Sequence, residues 1–331
     1  MSAPGTPVVV VTSRSFGSGT ARLEEKLTAA GLRVVRGSTT HELAELTPVL
    51  ADAAAWIAGT APIAEEHLAA APHLRIVARY GVGVDSVDLA AAARHGVTVT
   101  NTPAANSDAV ADLSIALLLA ALRGVAAGDR SVRAGSWQTR RGRELGTLSL
   151  GVVGLGRIGR GVARRAAGFG TALLGHDPFL DPVVFDVLGI RQVPLPELAA
   201  QCDAVTLHAP GGSRVIDEQW LAGARPGLIV VNTARADLVD EHAVADALRD
   251  GRLAAYAADT LASEGAGGES PLLAAEFADR VVLTPHLGAQ TVEAVDRMGT
   301  GAVEAVLDVL AGREPAHPIT LPVPTIEEGT P

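Results

Sequence analysis

The chain has 331 residues, is 48 % hydrophobic, and carries a net charge of −10 with a pI near 5.4. That is enough apolar material for two domains, and the acidity excludes nucleic acid as an expected partner, because like charges repel. Cys202 is the one cysteine and Lys26 the one lysine, which excludes an intrachain disulfide, a thiolate metal site and a Walker-type phosphate loop; no metal is expected.

Short β-branched runs alternate with alanine- and leucine-rich helical stretches from end to end, the pattern of an α/β protein with parallel sheets. The first third predicts strands at 8–12, 32–36, 54–58, 75–78 and 97–100, with helices between them. A long helix is predicted over 103–123, with Pro103 in its first turn and Gly124 ending it. Its apolar run, 113–122, is interrupted by Ser114 and is shorter than the roughly 20 residues of a membrane span. No basic-then-apolar leader opens the chain. A cytoplasmic protein with no membrane partner is therefore expected. The basic stretch 130–143 reads as a surface loop anchored by Trp137.

A second βαβ series then begins, with strands at 149–153, 172–176, 204–207, 228–232, 254–258 and 281–284. A last helix is predicted over 291–311. The proline-rich tail from Arg313 reads as an extended strap or disorder.

Gly154-Leu155-Gly156-Arg157-Ile158-Gly159 directly follows an apolar strand and opens a helix. In that setting the first glycine permits a tight turn. The second lets a pyrophosphate reach the backbone, and the third brings helix and sheet close. Free amides and the positive dipole end of the helix then face the phosphates. Asp177 ends the next strand, where a carboxylate accepts from the adenosine ribose hydroxyls and repels a 2′-phosphate, so NAD is expected over NADP.

Three ionisable residues follow successive strands of the second series: Arg235, Glu264 and His286. A guanidinium can hold a carboxylate and polarise the carbonyl beside it. A histidine can take or give the proton of a hydroxyl, and a neighbouring carboxylate favours its protonated form. Together they fit alcohol–ketone interconversion beside a nicotinamide.

Over roughly residues 8–312 the chain resembles the D-isomer-specific 2-hydroxyacid dehydrogenases, most of all their phosphoglycerate dehydrogenase branch without its regulatory extension. The resemblance rests on Gly154–Gly159, Asn232-Thr233-Ala234-Arg235, the Asp259–Glu264 segment and Thr284-Pro285-His286-Leu287-Gly288. It implies Arg235, Glu264 and His286 as the catalytic trio. It also implies NAD contacts at Gly154, Gly156, Arg157, Ile158, Gly159 and Asp177, and further ones at His208, Pro210, Thr233, Ala234, Asp259 and Gly288. A Rossmann NAD domain, 102–287, would be inserted into a flavodoxin-like substrate domain, 1–101 and 288–331. The two would be linked by hinge helices across a cleft, and the protein would form a homodimer through the cofactor domain. The chain departs from the family in several places. Ala236 stands where glycine is usual, Thr260-Leu261-Ala262-Ser263 lacks an aromatic, Gly265 replaces a proline, and Gly211-Gly212 replace a longer loop.

In the first domain Tyr80-Gly81-Val82-Gly83-Val84-Asp85 follows the fourth strand, a turn whose amides can form an anion nest. The resemblance implies that the Val82 and Gly83 amides hold the substrate carboxylate opposite Arg235; Tyr80, in the same turn, is a further candidate contact. Asp85 reads as the cap of the next helix. Arg14 and Arg79 are candidate contacts for a second anionic group, with Arg140, Arg141 and Arg143 as weaker ones. His176 and His208 read as polar lining. Two alternatives stay open: a dehydrogenase for glyoxylate, hydroxypyruvate or a phosphonate acid, and a non-enzymatic NAD-sensing corepressor-like protein.

Overall fold

The computed structural model describes residues 6–264 and 269–319; Gly265 and the tail beyond Ile319 lie outside them. The chain divides into two compact units, Met1–Asn106 with Gln290–Pro331, and Ser107–Ala289.

The first unit is built on β1 (Val8–Val11), β2 (Arg33–Arg36), β3 (Ala53–Ala58), β4 (Ile76–Arg79) and β5 (Thr98–Thr100). They form one parallel sheet in the order β2-β1-β3-β4-β5. β1 is four valines, all buried, as a strand covered on both faces requires. The order reverses between β1 and β3, and ligands of such sheets gather beyond the strand ends at that point. Gly59 sits there for lack of room: a Cβ would lie 2.8 Å from the Thr12 carbonyl oxygen. The helix Val292–Leu310 packs on β3 and β4. It is fixed at one end by Arg75, which donates to the Val309 and Leu310 carbonyls. Near the other end Asp296 accepts from the Thr20 and Ala21 amides.

A buried polar network lies under the same reversal. The Thr12 hydroxyl accepts from Trp56 Nε1 (2.9 Å) and the Gly59 amide (3.3 Å), leaving its proton for His41 Nε2 at 2.7 Å. His41 Nδ1 then donates to the Pro62 carbonyl, while His67 accepts from the Ala64 amide and donates to the His41 carbonyl. Both rings are thereby neutral with defined tautomers. Burial lowers the His41 pKa from 6.5 to about 4.

The second unit is built on β6 (Ser149–Val153), β7 (Ala172–His176), β8 (Arg191–Gln192), β9 (Ala204–Leu207), β10 (Leu228–Asn232), β11 (Leu253–Ala258) and β12 (Val281–Leu283). All are parallel, in the order β12-β11-β10-β9-β6-β7-β8. This order switches between β9 and β6, so the ends of those two strands mark the dinucleotide position of a doubly wound sheet. The two-residue β8 is exposed at the edge and has no apolar signal in the sequence. The helix Ser107–Arg123 packs its alanine- and leucine-rich face on β10, β11 and the helix Arg157–Ala167.

Three local expectations are corrected. The long helix begins at Ser107, not near Pro103, because Ala104 takes a left-handed φ of +69° that breaks the helical path. Gly124, at φ +61°, ends it. Within the predicted loop 130–143, residues 130–133 instead complete the helix Val125–Arg133, and Trp137 is 82 % exposed and so anchors nothing within its own chain. Asp85 does not cap the next helix; Asp88 does, accepting from the Ala91 amide. Among the described residues no single helix is long and apolar enough to cross a membrane.

Candidate active site

The glycine turn joins β6 to the helix Arg157–Ala167, and each glycine answers to a different constraint. Gly154 has φ +84°, and a Cβ there would lie 2.7 Å from both the His208 carbonyl carbon and the Ala209 amide at the end of β9. A Cβ on Gly159 would stand 2.0 Å from the Gly154 oxygen. Gly156 is exposed, and a Cβ would meet nothing within 4 Å, which leaves its backbone open to a phosphate. Arg157 is exposed beside it, with Ile158 half-buried. Asp177 accepts from the Leu155 amide at 2.8 Å, tying this strand-end carboxylate to the turn. Its other oxygen accepts from the Phe179 amide. These residues fit a dinucleotide: an open amide edge at a helix start, a close turn that only glycine permits, and an acid at the next strand end.

At the end of β9, His208 hydrogen-bonds the Thr206 hydroxyl at 2.9 Å through Nε2, and Nδ1 is buried without a partner. Desolvation lowers its pKa to about 3, so the ring stays neutral, polar lining and not a proton carrier. Pro210 is exposed beyond it. A Cβ on Gly211 would fit tightly, 3.1 Å from the Asp237 carboxylate, which accepts from the Gly212 amide.

β10 delivers Arg235 through a braced turn. Asn232, fully buried, donates to the Arg235 carbonyl (2.8 Å) and accepts from the Ala234 amide (3.0 Å). The Thr233 hydroxyl is 2.7 Å from Ser114 Oγ, so its side chain ties this turn to the helix Ser107–Arg123. Arg235 Nη1 donates to the Ala234 carbonyl. Ala236 opens a short 3-10 turn without left-handed backbone, so replacing the family's glycine carries no conformational strain here.

His286 follows β12 at φ +54°, a conformation unfavourable for a non-glycine residue. It is held there by Asp259, whose carboxylate accepts from the Thr284 hydroxyl (2.5 Å) and from the Leu287 and Gly288 amides (2.7 Å each). Gly288 is tightly seated, its would-be Cβ 3.1 Å from Asp259 Oδ2. Asp259 is 2 % exposed, and three of its lone-pair sites are spent on this loop. It is a positioning residue for His286 before it is a cofactor contact.

The imidazole Nδ1 meets Glu264 Oε1 at 2.5 Å, with both side chains nearly half exposed. The bond to Glu264 raises the His286 pKa above 6.5; burial and the Arg235 charge oppose the shift, while Asp259 adds to it. The Glu264 loop is pinned by buried Glu241, which accepts from the Ala262 amide (2.8 Å) and the Ser270 hydroxyl (2.6 Å). The bracing roles of Glu241, Asn232 and Ser114 escape a reading of the sequence. Each looks like an ordinary helix or strand residue, although Ser114 does interrupt an apolar run.

In the first unit the Tyr80–Gly83 turn corrects two expectations. Arg79 is 4 % exposed and donates to the Ala58 carbonyl (2.7 Å) and the Gly83 carbonyl (3.1 Å), bracing the turn and not standing open for a ligand. The Tyr80 hydroxyl donates to the Val295 carbonyl at 2.8 Å and is pushed up to a pKa of about 12 by burial, so it too is structural. Asn101 donates to the Val82 carbonyl, and among the described residues no turn or loop carbonyl accepts from the Val82 or Gly83 amide. Arg14 is exposed, donating only weakly to Thr39 at 3.3 Å. In the second unit Arg140 pairs with Asp279 and Arg143 with Asp203, while Arg141 is exposed. His176 Nδ1 lies 3.2 Å from the Val193 carbonyl.

The sequence profile of the "D-isomer specific 2-hydroxyacid dehydrogenase, NAD binding domain" matches residues 115–288. D-3-phosphoglycerate dehydrogenase of Mycobacterium tuberculosis is 42 % identical over 311 residues, 92 % of this chain and 57 % of that protein. The Methanocaldococcus jannaschii protein of the same name is 36 % identical over 88 % of this chain and 56 % of its own length. The chain thus spans somewhat over half the length of these curated relatives. The solved TT0316 protein from Thermus thermophilus is 36 % identical with a TM-score of 0.84, covering 95 % of this chain and all of that one. A D-2-hydroxyisocaproate dehydrogenase shares the fold at a TM-score of 0.80. The chain belongs to the D-isomer-specific 2-hydroxyacid dehydrogenase family, and residues 115–288 are its NAD-binding domain.

Proposed function

We propose that this protein interconverts a small 2-hydroxy acid and its 2-keto acid with NAD, in the manner of a D-3-phosphoglycerate dehydrogenase. The Glu264–His286 pair carries the reading, because a carboxylate holding a half-exposed imidazole at 2.5 Å is an acid–base device. Bound NAD supplies the nicotinamide that takes up or gives the hydride. His286 accepts the hydroxyl proton on oxidation and returns it on reduction. Glu264 stabilises the imidazolium, and Asp259 keeps the His286 loop in its strained conformation. Arg235 holds the substrate carboxylate and polarises the carbonyl; the Val82 and Gly83 amides are proposed substrate contacts of the first unit. Arg14 is the proposed contact for a second anionic group.

The same proposal takes the protein as a cytoplasmic homodimer joined through the NAD-binding domain. Three exposed apolar side chains of that unit, Trp137 (82 % exposed), Val125 and Val132, support that reading, since such side chains are better covered. The test is a substrate panel with NAD at alkaline pH, comparing 3-phospho-D-glycerate with unphosphorylated and phosphonate hydroxy acids. Turnover of at least one hydroxy acid is expected. NAD binding without turnover of any of them would instead favour a cofactor-sensing binding protein.

A further inference from the structure

One face of the helix Ser107–Arg123 touches both catalytic segments of the second unit. Val110 and Ser114 lie one turn apart on it. Ser114 Oγ donates to the Val110 carbonyl at 2.7 Å, which uses its only proton. The 2.7 Å contact with Thr233 is therefore a bond donated by the Thr233 hydroxyl to Ser114. Thr233 stands two residues before Arg235, inside the turn that Asn232 closes. On the same face, Val110 lies against Gly288, whose would-be Cβ is 3.2 Å from Val110 Cγ2. Gly288 is two residues beyond His286. The relay is dry: Ser114 is 1 % and Thr233 8 % exposed, so a hydroxyl left alone there finds no water in exchange.

We propose that Ser114 is a positioning residue for Arg235, acting through the Thr233 hydroxyl. Together with Val110 it makes this helix the common back wall of the Arg235 and His286 segments. The proposal rests on the reading of Arg235 as the carboxylate-binding cation, but its structural half can be measured without turnover.

The test uses the full chain as wild type, Ser114→Ala, Ser114→Thr and Thr233→Val. Amide hydrogen exchange of peptides covering 232–239 is read first. Faster exchange is expected in Ser114→Ala and Thr233→Val, with wild-type protection in Ser114→Thr, which keeps the hydroxyl. Unchanged exchange in both Ser114→Ala and Thr233→Val overturns the proposal, whatever the activity. Kinetics come second. A fall in kcat of about tenfold is expected in Ser114→Ala, since small misplacements of a binding group cost that much or more. NAD affinity by calorimetry should stay within about twofold, and Ser114→Thr should recover the loss. In an Arg235→Ala background Ser114→Ala should cost nothing further, because the two act in series. A full additional loss there would mean a general packing defect and would overturn the positioning role. Absence of turnover in the wild type would defeat the functional reading alone, leaving hydrogen exchange to decide this one.

Discussion

His286 Nδ1 and Glu264 Oε1 stand 2.5 Å apart, joining the loop after β12 to the loop after β11. The bond sets which proton the ring can exchange. With Nδ1 facing a carboxylate, Nε2 is the nitrogen left to face a substrate hydroxyl.

The pair makes a prediction about pH. The bond to Glu264 raises the His286 pKa above 6.5, so hydroxy-acid oxidation, which needs the neutral ring, should rise with pH through a value above 6.5. Keto-acid reduction, which needs the imidazolium, should fall over the same range. In Glu264→Gln both limbs should move to lower pH, as the carboxylate that favours the charged ring is gone. Rate profiles in both directions check this; profiles that stay in place, or move upward, would remove Glu264 from the role.

Arg14 and Arg79 should behave differently when truncated. Arg79 braces the Tyr80–Gly83 turn from inside. Arg79→Ala should therefore lower stability by about 1–3 kcal/mol through the carbonyls it abandons, and it should weaken all hydroxy acids alike. Arg14→Ala should leave the melting temperature near wild type and raise KM selectively for acids with a second anionic group. The comparison needs kcat/KM for a phosphorylated and an unphosphorylated acid in each variant. Equal losses in Arg14→Ala would rule out its proposed contact.

Gly159→Ala places a Cβ 2.0 Å from the Gly154 oxygen, a backbone overlap that no rotamer can relieve. The cost should be about 1–3 kcal/mol of stability and at least about a tenfold loss of NAD affinity, because the turn must open to make room. Thermal unfolding and calorimetry read the two effects. Unchanged affinity would mean that the turn is not the cofactor's cradle.

Acid should destabilise the first unit through His41. Its folded pKa, about 4, lies below the ordinary 6.5, so the folded state prefers the neutral ring. The contribution is complete above pH 6.5 and is lost as pH falls from 6.5 toward 4. Its size is on the order of 3 kcal/mol. Charging the ring would aim a proton at a Thr12 oxygen already accepting from Trp56 and Gly59. Urea unfolding at pH 7 and pH 4.5 should show a shallower pH dependence in His41→Gln than in wild type. An equal slope in the two proteins would contradict the assignment.

What a reader of the sequence can see follows from where information is local. β6, β7, β9 and β10 are legible to the residue, because each is an apolar run bounded by turn-forming or polar residues. Gly154–Gly159 is legible because its spacing reflects one turn. The start of the long helix is not, since Pro103 mimics a first-turn proline while the left-handed backbone of Ala104 leaves no mark in the chain. Arg79 looks like an open cation at a strand end; only the Ala58 and Gly83 carbonyls folded around it show that it is a brace. Thr233, Asp259 and Tyr80 likewise hold structural partners that the sequence does not reveal. Their residue types suit a ligand, but partners far away in sequence claim them first. The left-handed backbone of His286, and the three bonds to Asp259 that sustain it, depend on a contact between strands and have no local signature.

The most direct test of the central claim is turnover of the His286→Ala variant, measured by nicotinamide absorbance and paired with calorimetric NAD binding on the same sample. The structure predicts that turnover falls by about two orders of magnitude or more, while the NAD dissociation constant stays within about twofold, since the glycine turn and Asp177 are untouched. Turnover near the wild-type rate in a variant that still binds NAD would show that His286 is not the proton carrier and would contradict the account.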